Sequence, residues 1–209
     1  MQGAVTLCGQ ICSSADPLFT QGLLDAGVLA AASSLVALRD KPLVRKDILW
    51  LLSNVASGTY NQVTALLQEK QLLADVFVCL RRGEDFAIRR EALYVILNIL
   101  RSTHEHVFAL QRDHGDEVER GLCSFLTGGQ GGDEGSINDS LDGIEILLKC
   151  DETSSGLLRV REAIERSDGL ELLHEIALRD EDGGPSEACQ KANLLLEVYF
   201  DGDMPQEEF

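Results

Sequence analysis

Apolar residues recur at every third or fourth position through most of the chain, in runs separated by short breaks rich in Gly, Pro, Asp and Ser. That spacing is the mark of helices with one buried face. It predicts helices over about residues 4–13, Pro17–Asp25, Gly27–Leu38, Pro42–Ser57, Tyr60–Glu69, Gln71–Arg82, Asp85–Arg101, Ser154–Arg166, Gly169–Arg179 and Pro185–Phe200. Pro17 and Pro42 suit first-turn positions, and Gly27 and Gly58 suit helix ends. GGQGGDEG, Gly128 to Gly135, is too rich in glycine to continue a helix and is expected to be a loop.

The stretch RKDILWLLSNVASG, Arg45 to Gly58, carries more than a core face. An α-helix turns about 100° per residue, so Trp50 and Asn54 fall close to Asp47 on one side. Ile48, Leu51, Leu52 and Val55 fall on the other and are expected to be buried. The same offsets return in RREALYVILNILR as Glu91, Tyr94 and Asn98, and the step from Trp50 to Tyr94 is 44 residues. A second marker agrees: Gly27, Gln71 and Gly115 are also spaced by 44. A fixed period of about 40–47 residues belongs to helical repeats of the HEAT and armadillo type, whose units bury their apolar faces only by stacking. The expectation is an all-α fold, a right-handed α-solenoid of three-helix armadillo units. Residues 1–15 would be the end of a repeat; 16–58, 59–102, 103–150 and 151–200 would be successive repeats, and 201–209 an acidic disordered tail. An array that starts in mid-repeat exposes an apolar end, so the chain is expected to be the C-terminal part of a longer protein.

Charge changes the picture for one half only. The formal net charge is −17, but residues 1–102 hold ten Lys and Arg against nine Asp and Glu, while residues 103–209 hold eight against twenty-six. Such a second half repels nucleic acid and anionic membranes and favours basic partners. No apolar run reaches the roughly 18 residues that span a bilayer, and the start has no basic segment leading into an apolar core, so a soluble, unprocessed chain is expected. Six cysteines without a close pair suggest free buried thiols in a reducing compartment. His104, His106 and His114 lie near Cys123, but their spacing is not that of a zinc site. The glycine loop lacks the Lys and Ser or Thr of a phosphate loop. Asp180, Glu181 and Asp182 fall between helices, where carboxylates are usually solvated. No nucleophile–base arrangement is legible. The chain is expected to be no enzyme, with no cofactor, no metal and no catalytic residue.

With the repeats laid out, the chain resembles the importin-α (karyopherin-α) family of armadillo adaptors. KDILWLLSNVASG is similar to that family's K-E-x-x-W-x-x-S-N-x-x-A-G third-helix motif, and REALYVILN to the second copy of its minor signal-binding site. SLDGIEILLK resembles the ninth repeat, and IERSDGLELLHEIALRDED with KANLLLEVYF resembles the last. The resemblance implies a run from about the sixth to the tenth repeat, in a protein that shuttles between cytoplasm and nucleus. It places signal-binding rings at Trp50 and Tyr94, backbone-clamping amides at Asn54 and Asn98, lysine-pairing acids at Asp47 and Glu91, and a groove serine at Ser53. The chemistry suits those types. An Asn amide both donates and accepts along an extended peptide, rings can sandwich a lysine stem, and a carboxylate can meet the ammonium. Thr6 and Gln10 before Trp50, and Asp142 and Ile146 after Tyr94, cannot continue the ladder, so only two rungs remain. Importin-β would bind only through a segment this chain lacks. The resemblance also implies a rival surface: the acidic repeats, with Asp180, Glu181 and Asp182, would meet the export receptor with its Ran-GTP, or nucleoporins.

Overall fold

The structure is a computed structural model that describes residues 1–127, 133–153, 157–179 and 184–200. The expected glycine loop, apart from its last three residues, therefore lies outside the described residues, as do Asp180, Glu181 and Asp182 and the acidic tail. All described elements are helices, and the chain divides into two compact units, Met1–Gly121 and Leu122 onward.

The first unit contains α1 (Gln2–Cys12), α2 (Pro17–Asp25), α3 (Val28–Val36), α4 (Pro42–Ala56), α5 (Tyr60–Gln68), α6 (Lys70–Leu80) and α7 (Phe86–Leu100), followed by the start of α8 (His104–Leu126). Local chemistry sets many of the starts. Asp16 accepts from the Leu18 N–H ahead of Pro17, Asp85 accepts from the Ala87 N–H, and Thr59 and Gln62 form a reciprocal capping box before α5. The long third helices pack side by side, α1 on α4 and α4 on α7. Ile48, Leu51, Leu52 and Val55 of α4 are buried, as the pattern requires.

The 44-residue phase reappears as geometry. At each predicted joint between first and second helices the chain bends: Gly27 takes a left-handed φ of 81°, Glu69 leaves helical geometry before Lys70, and His114 breaks α8 at φ −142°. The second helices end two residues earlier than the pattern suggests, at Val36 and Leu80. The physical reason recurs with the same period. Arg45 Nε donates to the Val36 carbonyl at 2.9 Å, and Arg89 Nε to the Leu80 carbonyl at 3.2 Å. Each buried guanidinium thereby satisfies a helix-end acceptor.

The second unit is built from the end of α8 with α9 (Glu134–Thr153), α10 (Leu157–Arg166), α11 (Gly169–Ala177) and α12 (Glu187–Tyr199). Ile144, Leu147, Val160, Ile164, Leu173, Ile176 and Ala192 form its core. The joint before α11 is again left-handed, this time at Asp168 (φ 57°). Gly169 admits no side chain there, since a Cβ would lie 2.6 Å from Cys123 Sγ. No single described helix is long and apolar enough to cross a membrane.

Candidate peptide-binding face

The face common to α4 and α7 brings the expected residues together. Asp47, Trp50 and Asn54 are half-buried on α4; Tyr94 and Asn98 are half-buried on α7, and Glu91 is buried at 9% exposure. The two rungs are joined by the asparagines. Asn54 Nδ2 donates to the Gly9 carbonyl at 3.3 Å, and Asn98 Nδ2 to the Ser53 carbonyl at 2.9 Å, in each case 45 residues back on the preceding third helix. One N–H of each amide thus ties neighbouring helices, while the second N–H and the carbonyl oxygen remain as the complementary pair for an extended backbone.

Ser53 is placed differently from a groove serine. It is 6% exposed, and its hydroxyl donates to the Trp50 carbonyl at 2.8 Å. One period earlier stands Gly9, over which the indole of Trp50 lies so closely that an added Cβ would meet Cζ3 at 2.4 Å. Gly9 is therefore the small residue beneath the first ring, and Gly9 and Ser53 each surrender a carbonyl to an asparagine.

The acids differ in setting. Thr6 Oγ1 lies 2.8 Å from Asp47 Oδ2 and 3.1 Å from the Gln2 carbonyl. A hydroxyl has one proton, and the shorter, charge-assisted contact takes it. Gln2 Nε2 approaches the same carboxylate oxygen at 3.4 Å. Thr6, which ends the ladder of rings, thus orients the acid of the next rung. Burial pushes the Glu91 carboxyl above the ordinary glutamate range, and Asp47 adds to that rise, while Lys46 and Arg90 pull against it. These two cations stand four residues before Trp50 and Tyr94, on the same helix face. The sequence held the signal for Lys46 and Arg90 in that offset, and for Gly9 in its 44-residue step to Ser53. Thr6 and Gln2 had no such signal, because their partner lies on another helix.

In the second unit Asp142, expected at the rung after Tyr94, is held in an ion pair. Lys191 Nζ is 2.6 Å from Asp142 Oδ1 and 3.0 Å from Glu187 Oε1. The histidines have structural partners. His106 lies between Thr64 Oγ1 (2.9 Å) and Ser102 Oγ (3.0 Å), with its ring 4.5 Å from that of Tyr60. His114 stacks near Phe77 and contacts Glu117. Among the described residues no three His, Cys, Asp or Glu side chains gather as a metal would need, and all six cysteines are free thiols, only Cys8 being more than slightly exposed.

Three-helix units of this period, stacked through their third helices, define an armadillo-repeat fold. Solved structures share it. One is described as computationally designed armadillo repeat proteins for modular peptide recognition; it matches with a TM-score of 0.74 and 19% identity over 95% of this chain and 75% of that chain. A second, a designed armadillo repeat protein in complex with the peptide (KR)4, matches with a TM-score of 0.57 and 19% identity, covering 95% of this chain and 92% of that one. A third, an engineered protein, gives a TM-score of 0.60 at 18% identity over 94% and 88%. At these identities the likeness concerns the fold alone. No protein-family model and no curated protein matches the chain.

Proposed function

We propose that the α4–α7 face binds an extended peptide containing Lys or Arg, and that the chain serves as a peptide-binding adaptor of the nuclear-import kind rather than as an enzyme. The observation that carries this reading is the doubled rung: acid, aromatic ring and asparagine at identical offsets on two adjacent third helices. A lysine stem lies against Trp50 or Tyr94, its ammonium reaches Asp47 or Glu91, and Asn54 and Asn98 hold the backbone. The armadillo neighbour bound to (KR)4 lends support by analogy of fold. The proposed setting is cytoplasmic and nuclear, with basic nuclear localisation signals as cargo.

Two rungs set a ceiling on affinity. Each offers about 0.5–2 kcal/mol of cation–π contact, about 0.5–1.5 kcal/mol per hydrogen bond and up to about 1 kcal/mol for an exposed ion pair. After ordering costs, these reach the roughly 8 kcal/mol of a micromolar complex only in favourable cases. The site is therefore auxiliary in strength. Calorimetric titration with a basic peptide at low and physiological salt tests it, beside Asp47→Lys and the double variant Trp50→Ala, Tyr94→Ala. Circular dichroism serves as the fold control. Binding that disappears in both supports the assignment; unchanged affinity in the folded variants ends it.

A further inference from the structure

The unpaired cations of the first unit are concentrated at one edge. Arg39 and Lys41 lie in the connection between α3 and α4, Arg81 and Arg82 in that between α6 and α7, and Lys46 in the first turns of α4. None of the five has a carboxylate oxygen within ion-pair distance among the described residues. All but the half-buried Lys46 are exposed. The two connections are neighbours: Glu84 of the second is bonded at 2.8 Å to Arg45, which also caps the helix leading into the first. The acids in these connections offset little. Glu84 is engaged by Arg45, Asp85 caps the Ala87 N–H at 2.8 Å, and only Asp40 remains. A chain of net charge −17 therefore carries a basic edge beside its candidate groove.

We propose that this edge receives an acidic run of the same peptide whose basic residues occupy the rungs of α4 and α7. The inference rests on the peptide-binding reading above and adds a charge pattern to the ligand. Lys46 precedes Trp50 by one helical turn, about 5.4 Å, so a chain laid across the rungs passes it. An extended peptide advances about 3.3 Å per residue, which brings a carboxylate two or three positions from a ring-bound lysine to Lys46. The remaining cations sit on two connections whose helices are spaced by about 8–10 Å. Several carboxylates spread along an extended chain match that spacing, whereas a single anion meets one connection only. Nucleic acid is a poorer match, because its continuous phosphate charge would also meet a strongly acidic protein.

The test is fluorescence anisotropy with the whole chain and three labelled peptides: an alternating Lys/Arg peptide, and the same peptide extended by a short run of glutamates on either end. Two to three exposed ion pairs predict roughly 3- to 20-fold tighter binding for one of the extended peptides at low salt, shrinking at physiological salt. The triple variant Lys41→Ala, Arg81→Ala, Arg82→Ala should erase that gain and leave the plain basic peptide bound as before. If the plain peptide binds and neither extension binds tighter, the inference is overturned while the groove assignment stands. If the plain peptide does not bind, the groove assignment fails and the inference falls with it. A short single-stranded DNA that binds the wild type but not the triple variant, with no gain from glutamates, would reassign the edge to nucleic acid and overturn the proposal.

Discussion

The closest approach at the candidate face, Trp50 over Gly9, makes Gly9→Ala a sharp test of how the first rung is held. Two effects of opposite sign compete. Replacing a mid-helix glycine by alanine favours the helix by about 1 kcal/mol. Against that, the new methyl would lie 2.4 Å from Trp50 Cζ3 and 2.6 Å from Cε3, where carbon atoms prefer about 3.5–4 Å. More than 1 Å of movement is therefore needed. The α4 backbone cannot supply it, because Leu49, Leu51 and Leu52, which flank Trp50 along α4, are fully buried and anchor the helix. The ring must turn outward instead. Losing half of an indole's burial, on the order of 100 Å², costs roughly 2.5 kcal/mol at 25 cal/mol/Å². The clash wins, and net destabilisation of about 1–2 kcal/mol follows. Trp50 is the only tryptophan, so its emission reports the displacement directly: a red shift, with a urea midpoint below wild type. Gly22→Ala is the control, since it makes the same helix gain and its Cβ meets nothing within 4 Å; it should raise stability by about 0.5–1 kcal/mol. Unchanged emission with increased stability in Gly9→Ala would refute the packing argument.

Three further outcomes follow from single contacts. Arg45→Ala removes a 3%-exposed guanidinium that serves both the Val36 carbonyl and Glu84; it should cost about 3–5 kcal/mol in urea unfolding, whereas Arg39→Ala should change little. Asn98→Ala loses the 2.9 Å bond to the Ser53 carbonyl and should cost about 1 kcal/mol, more than Asn54→Ala, whose bond is 3.3 Å; equal losses would contradict this ranking. Glu91 titrates above the ordinary glutamate range because it is buried. The native state therefore holds the proton longer than the unfolded chain does, and stability falls as pH rises through that window. Glu91→Gln should accordingly be stabilising at neutral pH and neutral in acid below the window, as read by thermal melts, while wild-type affinity for a basic peptide should increase as pH climbs through the same range.

Helix content and phase were legible because an armadillo unit writes its joints locally. Gly27, the capping pair Thr59 and Gln62, and the prolines at 17 and 42 all act within one turn of themselves. What escaped are individual side-chain contacts, most of them reaching from one helix to another. The pattern carries α3 and α6 two residues too far because the arginines that cap them, Arg45 and Arg89, sit nine residues downstream on the next helix. Ser53 shared the period of the groove residues, yet it is buried and its hydroxyl is spent on the Trp50 carbonyl of its own helix. The histidine cluster near Cys123 dissolved for a related reason: His106 and His114 are close in sequence but separate partners, Thr64 and Phe77, engage them.

The same long-range contacts explain why the site is short. Before the first rung, Thr6 directs its hydroxyl to Asp47, so the position one period before Trp50 fixes the neighbouring acid instead of carrying a ring. In the second unit, Asp142 is joined to Lys191 at 2.6 Å, so a lysine of the chain itself already meets that acid. Both exposures are near one third, a setting in which an ion pair contributes under about 1 kcal/mol. In the proposed reading, the described face of α4 and α7 offers a peptide two rungs. Under the proposal, selectivity beyond those two rungs comes from charges beside them, and Lys46, Lys41, Arg81 and Arg82 are the cations placed there.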